Sequence, residues 1–195
     1  MNFQPNKLYH IYNQGNNRQL LFYNPENYLY FLRSVRRYVL PYCDVLAYCL
    51  MPNHYHFLIN TDQHSIVERE IGSLKLTALS NGFRLLQSTH AQAINIQQKQ
   101  TGSLFRQKAK AKCLECNDSN YPLTAFHYIH QNPIRAGLVK KIEEWKFSSF
   151  NDYAQLRNGS ICNKTLAQKL IGFDKLDFCL ESCKIISNEF SKNIY

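Results

Sequence analysis

The sequence predicts an α+β domain. Segments rich in aromatic and β-branched residues, which favour strands, alternate along the chain with segments whose apolar residues recur at helical spacing. The chain has 195 residues, which suits one domain with a small extension at its C-terminus. Hydrophobic residues make up 45% of it and include 12 Phe, 13 Tyr and one Trp, so a sizeable core can form and a disordered chain is excluded.

The N-terminal part of the chain has clear signals for its elements. Residues 8–14 are aromatic and β-branched enough for a strand. Asn24-Pro25 marks a helix start, because Asn is a good N-cap and Pro is accepted at the first helical position. Apolar residues at three- and four-residue spacing carry this helix to about Val39. Residues 43–50 form a second strand, and the short connection after it predicts a hairpin.

The middle of the chain is predicted to be helical. An apolar stripe makes residues 65–92 a helical region, and Asn81-Gly82 would allow this region to break. The segment 92–100 is rich in Gln and polar, so we expect a loop there.

Further helices are expected nearer the C-terminus. One covers residues 121–131 and should end at Asn132-Pro133, because Pro disfavours the α conformation of the residue before it. Residues 134–139 should then leave the helix in extended form. Beyond residue 154 we expect short helices, for example 165–171 and 176–186, that pack as an extension of the domain.

The charge of the chain favours a polyanionic partner. There are 23 Lys and Arg against 14 Asp and Glu, which gives a net charge of +9 and a pI of about 9.2. Nucleic acid is the commonest partner of such a protein, and a merely soluble basic surface is the alternative.

Four basic residues alternate strictly along one segment and would line one face of a strand: Arg106, Lys108, Lys110 and Lys112. Such a row can follow a phosphate backbone. An edge strand protected from aggregation by Lys is the alternative. The neighbouring Phe105 and the net charge favour nucleic acid.

Secretion and membrane insertion are not expected. The N-terminus lacks the charged-then-apolar pattern of a signal peptide, and no apolar run approaches the ~18 residues of a membrane span. Seven Cys without regular spacing indicate reduced thiols. We therefore expect a cytoplasmic protein with no membrane partner.

His54 and His56 are the first candidates for chemistry. Side chains alternate between the two faces of a strand, so these two imidazoles point the same way. Two neutral imidazoles held side by side on a rigid strand supply two of the three protein ligands of a metal site. Taken alone, an incidental His-x-His pair in a strand is the simpler interpretation.

Tyr128 and Asn132 are the second candidates. They lie four residues apart on a predicted helix and therefore share a face, so a phenol and a carboxamide oxygen can approach one site together. Taken alone, a Tyr on an apolar helix is more often part of a core.

Together these residues resemble a known family. Two blocks are similar to the signature blocks of the REP-associated tyrosine transposases, which belong to the single-tyrosine HUH transposases: residues 51–56, with the sequence MPNHYH, and residues 128–139, with the sequence YIHQNPIRAGLV. Smaller features of residues 13–18, 102–105 and 145–149 also resemble the family. The resemblance covers roughly residues 8–153.

The resemblance implies a ferredoxin-like antiparallel sheet with helices on one face, in a catalytic domain of residues 1–153 followed by a helical extension of residues 154–195. Carried over position by position, it makes His54 and His56 metal ligands, Asn132 the third protein ligand and Tyr128 the nucleophile. Arg106, Lys108, Lys110 and Lys112 are then candidates for DNA phosphate contacts, and so are Arg18 and Arg135.

The activity implied is cleavage and rejoining of single-stranded DNA near hairpin-forming repeats, through a 5′-phosphotyrosine. Two imidazole nitrogens and an amide oxygen suit Mg²⁺ or Mn²⁺ and do not exclude Zn²⁺ or Ni²⁺. The expected partner is single-stranded DNA with hairpin repeats, and the protein is expected to be a monomer or a homodimer.

Two other functions stay open at this point. A non-catalytic ferredoxin-like module that binds nucleic acid would share the charge and the aromatic residues, but it would not need His54, His56, Tyr128 and Asn132 together. A metal-dependent hydrolase would use water as its nucleophile, form no covalent DNA adduct and be indifferent to Tyr128→Phe.

Overall fold

The computed structural model describes residues 1–114, 121–184 and 186. Its strands are β1 (Leu8–Gln14), β2 (Asp44–Met51), β3 (His54–Asn60), β4 (Glu68–Ile71), β5 (Leu74–Thr77) and β6 (Lys110–Cys113). Its α-helices are α1 (Pro25–Tyr38), α2 (Ala78–Gln98), α3 (Tyr121–Arg135), α4 (Phe150–Tyr153), α5 (Lys164–Ile171) and α6 (Phe178–Cys183).

Four strands form one antiparallel sheet with the order β2-β3-β1-β6. Along the chain these strands and the first two helices follow one another as β1-α1-β2-β3-α2-β6, which is the β-α-β-β-α-β arrangement of ferredoxin-like domains. The predicted α+β class and antiparallel sheet are therefore confirmed. The hairpin of β4 and β5 is a separate two-stranded sheet inserted before α2.

Helices cover both faces of the sheet. On one face, Phe31 of α1 lies 5.3 Å from Tyr55 between ring centroids, and Phe83 of α2 lies 6.2 Å from Phe57. On the other face, Tyr128 of α3 lies 6.4 Å from His56. Helices α1 and α2 thus share one face, as expected. Helix α3 differs from the expectation, because it covers the opposite face, where β3 also carries fully buried side chains.

The first elements agree with the sequence signals. The Asn24 side chain caps α1 by accepting a hydrogen bond from the Asn27 backbone N–H at 3.1 Å, and Pro25 occupies the first turn. The predicted strands 8–14 and 43–50 and the hairpin after the second one are confirmed, with a shift of one residue in β2.

The prediction of helix from residue 65 is wrong for the inserted hairpin, which turns at Gly72 with a positive φ of 61°. Helix α2 begins only after Thr77, whose hydroxyl accepts from the Ser80 backbone N–H at 3.2 Å. It passes Gly82 without a break, because this glycine lets the helix approach α1 so closely that a Cβ would collide with the Tyr38 carbonyl oxygen. It also includes most of the segment 92–100 that was expected to be a loop.

Helix α3 continues through Pro133, so the predicted end at Asn132 is wrong. Pro133 has no N–H to donate to the Ile129 carbonyl. The Asn132 side-chain amide instead donates to the carbonyl oxygens of Tyr128, at 2.9 Å, and Ile129, at 3.4 Å. The chain then turns at Gly137, whose φ is +66°, rather than leaving in extended form.

The basic segment forms a strand only over β6, so the prediction of one row of four cations on a strand is wrong. The reason is that Phe105 is buried and bridged to Gly15, and this holds the chain just before the strand in an irregular conformation. Arg106 and Lys108 belong to that irregular part, whereas Lys110 and Lys112 lie on the strand, at the edge of the sheet.

The C-terminal residues pack on α3 through aromatic rings. Phe126 stacks on Phe173 with ring centroids 4.9 Å apart and contacts Phe178 at 5.8 Å. The expected helix 165–171 is confirmed as α5, and the expected helix 176–186 is found in the shorter form α6. In the part of the chain that the structure describes, none of the helices has both the length and the apolar character that crossing a bilayer requires.

Candidate active site

The two histidines of β3 lie side by side at the start of the strand. Their ring centroids are 5.1 Å apart and their planes are almost perpendicular, at 86°. His56 is fully buried. The side-chain alternation expected from the sequence therefore holds, and both imidazoles face α3.

Each of these imidazoles is oriented by a hydrogen bond at Nδ1. His56 Nδ1 lies 2.8 Å from His10 Nε2, and His54 Nδ1 lies 2.7 Å from the Asn53 side-chain oxygen. His54 Nε2 is buried and has no hydrogen-bond partner among the described residues. A buried ring nitrogen without a protein partner, on a ring whose other nitrogen is fixed by hydrogen bonding, fits a metal ligand.

Both histidines are neutral at physiological pH. Burial lowers the pKa of His54 to about 4. Burial, followed by the nearby His10 and His54, holds the pKa of His56 well below its usual value. Neutral imidazole is the form that binds a metal, so no proton has to be removed first.

Tyr128 of α3 faces this pair. Its ring lies 6.4 Å from the His56 ring, with the planes at 84°, and only 3% of the residue is exposed. The Arg135 guanidinium, two turns further along α3, lies 5.5 Å from the centre of the Tyr128 ring. Arg135 also donates a hydrogen bond to the Ile186 carbonyl oxygen at 3.0 Å.

Asn132 lies one turn after Tyr128 and is 6% exposed. Its amide nitrogen is engaged by the two helix carbonyls described above, so the oxygen is the side-chain atom left for a ligand. Within residues 1–114, 121–184 and 186, no three His, Cys, Asp or Glu side chains are arranged to hold a metal. Asn132 as the third protein ligand of a site on His54 and His56 stays a prediction from the resemblance.

Two of the predicted DNA-binding cations share a sheet face with the histidines. Lys110 and Lys112 pair with Tyr12 and His10, and Tyr12 in turn pairs with His56. The Lys110 ammonium lies 5.9 Å from the centre of the Tyr12 ring. Both lysines therefore lie on the face of the sheet that carries the histidines.

The other predicted cations are placed differently. With the Gln14 amide oriented so that its oxygen faces the guanidinium, Arg106 donates to it at 2.7 and 3.0 Å, and Gln14 lies opposite His54 in the sheet. Arg18 adjoins the site through its carbonyl, which accepts from the Asn53 amide at 3.4 Å. Lys108 lines a cavity that Arg106 lines as well.

Sequence reasoning missed His10 and Asn53, the residues that orient the two imidazoles. The signal for His10 was its position in the first strand, two residues from Tyr12 and so on the same face. This position indicates a role for His10 only once β1 is known to pair with β3, and the sequence alone did not establish that pairing.

The fold and site together define a class: a ferredoxin-like domain with a paired-histidine strand and a tyrosine-bearing helix on one face. Among solved structures, the chain is similar to a REP-associated tyrosine transposase bound to a REP hairpin, with a TM-score of 0.58 and 17% sequence identity over 84% of this chain and 92% of that one. The similarity shows that the two chains share a fold. No protein family and no curated protein was found to match the sequence.

Proposed function

We propose that the protein is a metal-dependent single-stranded DNA endonuclease and strand transferase that acts at hairpin-forming repeats. The observation that carries the proposal is the buried Nε2 of His54, which has no partner among the described residues and lies beside His56 on the sheet face that Tyr128 covers. The solved transposase of the same fold, which is bound to a hairpin, supports the choice of hairpin DNA as substrate.

His54, His56 and Asn132 would hold one divalent ion, Mg²⁺ or Mn²⁺. When bound, the ion would polarise the scissile phosphate and stabilise the charge that develops on it. His10 acts as a positioning residue, because its hydrogen bond fixes the ring of His56.

Tyr128 would supply the nucleophile. Its oxygen forms a bond to phosphorus, the bond from phosphorus to the 3′ oxygen breaks, and the phenolic proton leaves as the 3′-OH forms. A phenol has a pKa near ~10 and needs activation to attack at neutral pH. The Arg135 guanidinium lies against the Tyr128 ring in a cation–π contact.

The product of this step is a 5′-phosphotyrosine and a free 3′-OH. The covalent link conserves the phosphodiester bond energy, so another 3′-OH can attack it and join two strands without ATP. Lys110 and Lys112, on the same sheet face, would hold the strand by its phosphates during both steps.

A cleavage assay tests this proposal. A labelled single-stranded oligonucleotide that folds into a hairpin is incubated with the protein and Mn²⁺. Wild type should give a covalent protein–DNA band that is absent with EDTA and with Tyr128→Phe. The matched control is Tyr23→Phe, because Tyr23 is 39% exposed and outside the site, and it should give the same band as wild type.

The two other functions predict different results. Cleavage that persists in Tyr128→Phe without a covalent band would replace the transferase by a hydrolase that uses water. Hairpin binding without cleavage, over several repeats and metals, would replace it by a non-catalytic binding module.

A further inference from the structure

A cavity of about 240 Å³ lies between helix α1 and the loop of residues 157–161. Its floor is Tyr48 of β2, which is 2% exposed. Its walls are apolar, and among them Leu29 is 47% exposed whereas Ile161 is buried. Three guanidinium groups also line the cavity, those of Arg33, Arg36 and Arg157. The cavity therefore combines positive charge with uncovered apolar surface.

We propose that this cavity is the docking site for an acidic peptide segment of a partner protein, in which a large apolar side chain has Asp or Glu neighbours. The apolar side chain enters the cavity, and its acidic neighbours pair with the exposed guanidinium groups of Arg33 and Arg36. Clusters of arginine are a recurrent means of recognising acidic motifs, and an anchor side chain in a pocket carries much of the affinity of such contacts.

The loop that closes the cavity is held in place by the Asp152 carboxylate. This carboxylate accepts from the Arg157 side chain at 2.7 and 2.8 Å and from the Gly159 backbone N–H at 2.9 Å. A side chain at Gly159 is excluded, because its Cβ would lie 2.5 Å from the same carboxylate. Arg157 also donates to the Tyr48 hydroxyl at 3.1 Å, which ties the loop to the floor of the cavity. The cavity is therefore formed before a partner binds, and this keeps the ordering cost of docking small.

The charges around the cavity favour an anionic partner. None of the described residues that line it is acidic. Arg157 has Asp152 as its counter-ion, whereas Arg33 has neither a hydrogen bond nor an ion pair among the described residues. Arg36 donates to two uncharged oxygens of Ser160, at 2.9 and 3.3 Å, and these oxygens do not balance its charge. Carboxylates of a partner would supply the missing counter-charge.

Size and position favour a peptide over DNA. The volume is below the ~300–1,000 Å³ of pockets for drug-sized ligands, so it suits one large side chain. The Tyr48 ring lies 6.3 Å from Phe57, which faces α1 and α2, whereas the histidines face α3. DNA bound at the histidines would therefore lie on the other face of the sheet. A phosphate backbone would also leave the apolar walls uncovered, and a second copy of this chain would bring its own net charge of +9 toward the arginines.

Fluorescence anisotropy with short labelled peptides tests the docking site. The probe has one phenylalanine between two pairs of aspartates, and its two control peptides replace the phenylalanine by serine or the aspartates by lysines. The protein should bind the probe about tenfold more tightly than either control peptide, because each control lacks the anchor or the charges. Arg33→Glu and Leu29→Asp should each weaken probe binding about tenfold, because each places a carboxylate against those of the peptide.

Matched variants control for the change of charge. Lys169→Glu in α5 and Leu176→Asp, at a residue that is 91% exposed, should bind the probe like wild type. Arg33 and Leu29 are exposed, so Arg33→Glu and Leu29→Asp should unfold at the same temperature as wild type and form the same covalent band with hairpin DNA. If Leu29→Asp lowers the unfolding temperature, Arg33→Glu decides the question alone.

Three results would overturn the proposal: equal affinity of wild type for the probe and the serine peptide, equal affinity of wild type and Arg33→Glu for the probe, or weaker binding of hairpin DNA by Arg33→Glu, which would make this surface a DNA contact. The docking site and the chemistry can fail separately. Probe binding that depends on Arg33, in a protein that forms no covalent band, would keep the docking site and reject the transferase. A normal covalent band without probe binding would do the reverse.

Discussion

Replacing His90 by Gln should make the protein more tolerant of acid. His90 is fully buried in the core, and its Nε2 lies 2.8 Å from the Leu21 carbonyl oxygen. Burial lowers the pKa of His90 to about 4, and the hydrogen bond to Leu21 opposes this only in part. A Gln side chain can still donate a hydrogen bond to that carbonyl but has no group that titrates in this range.

The size of the effect follows from the two protonation states. Above pH 6.5 both the folded and the unfolded chain hold His90 neutral. Between pH 6.5 and 4 the unfolded chain binds a proton that the folded chain does not, so acid lowers the free energy of unfolding by about 1.4 kcal/mol per pH unit. Lowering the pH from 7 to 5 should therefore reduce the free energy of unfolding of wild type by about 2 kcal/mol more than that of the variant.

Urea unfolding at pH 7 and pH 5 measures this difference. Wild type and His90→Gln should differ by about 2 kcal/mol in how much stability each loses between the two pH values. The exposed His64→Gln serves as a control and should behave like wild type. Equal losses of stability in wild type and His90→Gln would refute the reasoning, because His90 would then bind a proton equally well in the folded and the unfolded chain.

Three further predictions concern the site and its support. His10→Phe removes the hydrogen bond that orients the His56 ring. It should therefore raise the Mn²⁺ concentration needed for half-maximal covalent band formation about 10- to 100-fold and lower the thermal stabilisation by Mn²⁺. An unchanged Mn²⁺ requirement would contradict this. Replacing both Lys110 and Lys112 by Ala should make the plot of log affinity against log salt shallower by about 1.4 for single-stranded DNA, and an unchanged slope would exclude phosphate contacts at these lysines. Asp152→Asn should lower the free energy of unfolding by about 2 to 3 kcal/mol, because Asp152 is 2% exposed and accepts from Arg157 at 2.7 and 2.8 Å; urea unfolding with a loss below about 1 kcal/mol would show that the pair is weak.

Local signals were sufficient where one residue and its near neighbours decide the conformation. Asn24 and Pro25 start α1 because a side-chain cap and a fixed φ act within one turn. His54 and His56 share a face because strand alternation needs no distant contact.

Local signals failed where distant contacts compete with propensity. The inserted hairpin has apolar residues at spacings that also fit a helix, and only its pairing in β4 and β5 separates the two. Pro133 stays within α3, where the Asn132 side chain donates to the Ile129 carbonyl that the proline cannot reach. Gly82 stays in α2 because α1 packs too closely there for a side chain.

The sequence by itself determined which residues are candidates for chemistry: a His-x-His pair on a strand, and Tyr128 with Asn132 on one helix face. The tertiary structure alone decided what surrounds them. His10 meets His56 only through the register of β1 against β3, and Tyr128 meets His56 only because α3 packs on the face of the sheet opposite α1 and α2. The physical reason is that side-chain alternation is local, whereas strand order and helix docking depend on the burial of apolar surface by residues far apart in the chain.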